Sequence, residues 1–82
     1  MQELMNMVAE LTEYLNARER ELSNNTNFNT HVQGELNNRR QEIENFKVAS
    51  MSQIHPTLIN ETIKNFRIEK EKIKLKINKI QC

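Results

Sequence analysis

The sequence predicts an all-α fold of three helices forming either a small bundle or an extended coiled-coil oligomer, and three observations lead there. Apolar residues recur at alternating spacings of four and three in three separate segments. That spacing gathers each set on one stripe of a helix, which must be buried against another helix. The 82 residues contain only one glycine and one proline, so little interrupts helical propensity. The stretches between the striped segments are rich in residues that break helices.

The first helix is expected over about residues 2–23, with Leu4, Val8, Leu11, Leu15 and Leu22 on its stripe. Glu, Leu, Met and Arg dominate the segment, and all are good helix formers. Arg18 stands where the next apolar residue of the stripe would fall.

Residues 23–30 read Ser-Asn-Asn-Thr-Asn-Phe-Asn-Thr. Apart from Phe28 these side chains are short and polar, and they compete with the helix for local backbone groups. A loop is expected there. Thr30 and Gln33 have the form of a capping box that restarts the chain as a helix. A continuous helix from 2 to 52 is the alternative, because steps from Leu22 through Asn25 and Asn29 to Val32 keep the first two stripes in phase. Buried Asn layers in such a helix would fix coiled-coil register. Against it stands the propensity cost of about eight poor helix formers in a row, on the order of 3–5 kcal/mol.

The second helix is expected over 30–51, with Val32, Leu36, Ile43 and Phe46 on its stripe and Arg39 interrupting it. Gly34 in its first turns costs roughly 1 kcal/mol against Ala. Pro56 marks the next start, since proline suits a first helical turn and disfavours helix in the residue before it. The third helix is expected over 57–81, carrying Ile59, Ile63, Phe66, Ile73, Ile77 and Ile80, with Lys70 at a stripe position. Lys72–Lys76 alternates with period two, which is a strand signature, but no second alternating segment exists to pair with it.

Two helices carry a second apolar ridge. Met7 and Tyr14 lie at the flank of the first stripe, whereas Ile68 and Leu75 lie on the face opposite the third. A helix with two ridges is suited to touching two neighbours. At this length one domain (1–82) is the most that can form, and a core this small gives marginal stability unless subunits or partners associate. The chain has no Trp, one Tyr and three Phe.

The net charge of +1 hides an asymmetry. Residues 1–24 hold five Glu against two Arg, for −3; residues 25–50 balance; residues 51–82 hold six Lys and one Arg against three Glu, for +4. An acidic first helix and a basic third are expected to lie parallel as bundle neighbours with their charges matched.

Chemistry-bearing patterns are scarce. The one cysteine, Cys82, cannot form an internal disulfide. His31 and His55 are far apart, and there is no Asp in the chain, so no metal-ligand spacing arises. The carboxylate pairs Glu10/Glu13 and Glu42/Glu44 come without a nucleophile, a phosphate loop or a cleft-forming topology. No catalytic residue, metal, cofactor or small-molecule substrate is expected. No apolar run approaches the ~20 residues of a membrane span, and a soluble, cytoplasmic protein is expected. Abundant Asn, Lys and Ile fit an AT-rich genome such as that of a bacterium or phage.

The expected function is non-enzymatic: a helical protein–protein interaction module, such as an adaptor, assembly factor or small regulator, acting by coiled-coil or helix-in-groove pairing with a protein partner or with itself. Met7, Leu11, Tyr14, Arg18, Ile68 and Leu75 are the candidate partner-binding residues. Met1, Met5 and Met51 add adaptable apolar surface. One alternative is a nucleic-acid-binding protein whose third helix meets phosphates through Lys64, Arg67, Lys72, Lys76 and Lys79, although Phe66, a stripe residue, is the one aromatic among them that could stack on bases. Another is a small subunit of a larger helical complex that folds only with its partner.

Overall fold

A computed structural model describes residues 2–52 and 59–82. It contains three helices, α1 (Gln2–Ser23), α2 (Thr30–Ser52) and α3 (Ile59–Asn78), packed as a small up-down-up bundle. All three stripes turn inward. Leu4, Val8, Leu11, Leu15 and Leu22 of α1 meet Val32, Leu36, Ile43 and Phe46 of α2, together with Ile73, Ile77 and Ile80 from the third segment. Phe28, from the loop, and Ile63 and Phe66, from the first half of α3, pack on this core while staying partly exposed.

The chain breaks between α1 and α2, so the continuous helix from 2 to 52 does not form. The Asn25 amide donates to the Leu22 carbonyl (3.0 Å) and the Phe28 amide to the Asn25 carbonyl (3.1 Å). The Asn25 side chain also accepts the Asn27 amide (2.8 Å). These local bonds are the competition that short polar side chains offer the helix ladder. The expected Thr30–Gln33 capping box is corrected by one residue. Asn29 is the cap: its Oδ1 accepts the Val32 amide (3.0 Å) and its carbonyl accepts the first helical bond, from Gln33 (3.0 Å). Asn outranks Thr as an N-cap, and Gln33 is free to reach Glu19 Oε2 instead (3.0 Å).

The start of α3 expected at 57, with Pro56 and His55 before it, lies outside the described residues. The end at 81 is corrected to Asn78. There the Lys79 amide is shared between the Leu75 and Lys76 carbonyls (both 3.2 Å), and the Ile80 amide reaches back to Ile77 (3.1 Å). This is the tightening that commonly closes a helix. Lys72–Lys76 sits inside α3 despite its alternation. One core residue was not legible as such: Ser50 is buried on α2, its hydroxyl satisfied by the Lys47 carbonyl (2.8 Å).

Two stability measurements check this packing. Leu11→Ala removes a fully buried side chain and is expected to cost roughly 2–5 kcal/mol, whereas Leu75→Ala should stay within about 0.5 kcal/mol; chemical denaturation of the pair reads the difference. Asn29→Ala should cost ~1 kcal/mol and Thr30→Ala clearly less. Equal losses for Asn29→Ala and Thr30→Ala would place the cap elsewhere.

Candidate interaction surface

The parallel seam between α1 and α3 accounts for most of the polar side chains singled out from the sequence. Glu3 pairs with Arg67. Glu10 lies between Lys70 and Lys74, at 3.2 and 3.0 Å. The Tyr14 hydroxyl donates to Asn78 Oδ1 (2.5 Å), and the Lys74 ammonium stands 5.0 Å from the centre of the Tyr14 ring. Arg18 donates through Nη2 to the Ile80 carbonyl (2.6 Å) and through Nη1 to Glu21 (3.0 Å). Its cation therefore sits where α3 ends and carbonyls lack helical partners. Cys82 adds a weak contact from its thiol to the Leu22 carbonyl (3.6 Å).

Electrostatics follow from this geometry. Hydrogen bonds from Lys74 and then Lys70 hold the Glu10 carboxyl below the usual carboxylate range. The same bond to Glu10 raises the Lys74 ammonium.

On the α2 side, Arg40 bridges Asn16 (2.9 Å) and Glu19 (3.1 Å) of α1. Lys76 of α3 reaches Glu42 (2.8 Å), whose other oxygen lies 3.0 Å from Arg39. The charges at stripe positions, Arg18, Arg39 and Lys70, thus all end in ion pairs at the margin of the core. Their stems lie along apolar surface while their heads find carboxylates.

Of the six candidate partner residues, four are taken up inside the bundle. Met7 and Leu11 are buried in the core. Tyr14 and Arg18 are committed to α3. A ridge at the flank of a buried stripe faces the next helix, and α3 occupies that position. Ile68 and Leu75 are different: they remain 49% and 60% exposed. Met5, Val48 and Met51 are also exposed, the latter two leading directly into residues 53–58.

The five candidate phosphate contacts divide in a similar way. Arg67 and Lys76 are spent on Glu3 and Glu42. Lys64, Lys72 and Lys79 are exposed, and none reaches a carboxylate within ion-pair distance among the described residues. His31 pairs with Glu35 one turn on (3.0 Å).

A second feature was not legible in the sequence. α2 and α3 part around an open cleft of about 430 Å³ floored by Phe46, Phe66 and Ile73, with Glu42, Asn45 and Glu69 among its polar residues. Phe46 and Phe66 meet edge to face there, with centroids 5.1 Å apart. The cleft depends on how far two helices splay, which no spacing within one helix encodes.

No helix among the described residues is long and apolar enough to cross a membrane. Comparison with protein-family models, curated proteins and solved structures gives no match for this chain.

The Glu10 cluster makes a pH prediction. A carboxyl whose pKa is lowered by folding stabilises the fold above its unfolded pKa, and that contribution is lost as pH falls through the folded value. Glu10→Gln should therefore cost stability at neutral pH, by less than about 1 kcal/mol because the site is exposed. The gap to wild type should close as acid titrates the carboxylate range. Urea midpoints measured across that range check it, and a gap that persists in acid would assign the effect to packing.

Proposed function

We propose that this chain is a non-enzymatic helical interaction module that binds a protein partner through the outer face of α3. One observation carries the reading. The bundle closes its core with the three main stripes and absorbs the Met7/Tyr14 ridge, yet leaves Ile68 and Leu75 uncovered seven residues apart on one helix. Two aliphatic side chains at that spacing are the anchors by which one helix packs on another. The role is that of an adaptor, assembly factor or small regulator. In it the bundle is the scaffold, and the ridge supplies the contact.

Binding by side-chain packing needs no reacting group, and the polar clusters in the bundle are already engaged in fastening its helices together. Arg67, Lys70, Lys74 and Lys76 all serve the bundle, which weakens the case for a phosphate-tracking third helix.

The test uses the whole chain and an unbiased library of displayed helical peptides. Binders are selected against the wild-type protein and then measured against the Ile68→Ser/Leu75→Ser double variant. Both positions are exposed, so the variant should keep its helicity and lie within about 1 kcal/mol of wild-type stability. The expected result is that most selected binders lose at least roughly tenfold in affinity, as when buried anchors are truncated. Binders that map elsewhere and ignore the double substitution would overturn the reading.

A further inference from the structure

Resting on the reading just given, we infer that the partner of α3 is an acidic amphipathic helix, held by Ile68 and Leu75 and flanked by carboxylates that meet Lys64, Lys72 and Lys79. The first ground is the sorting of charge on α3. The basic residues turned toward α1 and α2 are neutralised inside the molecule: Arg67 by Glu3, Lys70 and Lys74 by Glu10, and Lys76 by Glu42. The three that are left, Lys64, Lys72 and Lys79, fall on the face that carries the exposed ridge.

At 3.6 residues per turn, Lys64, Ile68, Lys72, Leu75 and Lys79 lie within about 80° of arc. The apolar pair runs down the middle, with Lys64 and Lys72 to either side. A rise of 1.5 Å per residue puts Ile68 and Leu75 about 10 Å apart, inside a basic frame about 22 Å long. An apolar seam bordered by charges is the arrangement by which one helix chooses another, with the border selecting the sign of the partner.

The second ground is what the face rejects. A second copy laid on it antiparallel could pair Ile68 with Leu75, but it would set Lys64 against Lys79 and Lys72 against its own counterpart. A parallel copy would set each lysine against itself. Like charges in register oppose association, so the surface is not built for self-pairing. A lipid surface calls for a broader apolar face with aromatic residues at its edge, and this one is a single ridge of two aliphatic side chains. A phosphate backbone would pass over the apolar ridge of Ile68 and Leu75 without using it.

The test compares two synthetic helical peptides that share one leucine stripe, the first with Glu and the second with Lys at the flanking positions. Binding to the whole chain is followed by fluorescence anisotropy. The Glu peptide should bind wild type and the Lys peptide should not, and raising the salt should weaken the complex. Lys64→Glu/Lys72→Glu/Lys79→Glu should invert the preference. Lys64→Gln/Lys72→Gln/Lys79→Gln should weaken the Glu peptide roughly tenfold, the size that three surface ion pairs give together. Ile68→Ser/Leu75→Ser should abolish binding of the Glu peptide.

Failure of the Glu peptide to bind, or a preference that survives charge reversal, overturns the inference. If library binders still depend on Ile68 and Leu75, the docking face stands and only the acidic partner falls. Anionic vesicles and duplex DNA form the remaining arms. Binding of either that is lost on charge reversal but kept in Ile68→Ser/Leu75→Ser would assign the lysines to a polyanion and overturn the inference as well.

Discussion

The parallel docking of α1 against α3 is the constraint on which the rest of the bundle depends. Three contacts fix it at one constant offset: Glu3 with Arg67, Glu10 with Lys74, and Tyr14 with Asn78, each 64 residues apart. A constant offset is what two parallel helices of equal rise must show. Parallel neighbours bring like ends of their helix dipoles together, which is mildly unfavourable. An acidic α1 beside a basic α3 offsets this, and Arg18 places a cation at the end of α3. With that seam set, α2 can only run back between them; its Arg40 ties one flank to Glu19 of α1 and its Glu42 ties the other to Lys76 of α3.

Each exposed ion pair is worth little alone, so the seam does not supply the bulk of the stability. That comes from burial of Leu4, Leu11, Leu15, Leu36, Ile73 and Ile77, all nearly inaccessible. The charges select among arrangements. Leucine and isoleucine stripes would pack in several registers at similar cost, and a shift by one heptad would bring Glu3 to Lys74 but leave Glu10 facing Gln81. Burial gives the fold its free energy, and the charge pattern makes one register better than its neighbours.

The helices, the break between the first two and the inward stripes were legible because each follows from local chemistry: period 3.6, helix propensity and the short polar run from Ser23 to Thr30. The N-cap was misread because Asn29 and Thr30 are adjacent and both able to cap, and only geometry chooses between them. The parallel seam was legible in outline from segment charges, but its register was not, since it needs side chains 64 residues apart. The α2–α3 cleft was invisible for the same reason. Ser50 was missed because a buried hydroxyl that bonds its own helix leaves no apolar mark.

The two second ridges looked alike in the sequence, each a pair of residues seven apart. Their fates differ because their phases differ. Met7 and Tyr14 sit beside their stripe, so a neighbour that packs on the stripe also covers the flank. Ile68 and Leu75 sit opposite theirs, and in a three-helix bundle no helix can reach the face opposite the core. Burying the stripe of α3 therefore exposes this ridge. Beside that ridge stand Lys64, Lys72 and Lys79, which reach no carboxylate within ion-pair distance among the described residues. That phase relation, rather than exposure by itself, is the ground on which we propose the outer face of α3 as a partner-binding surface.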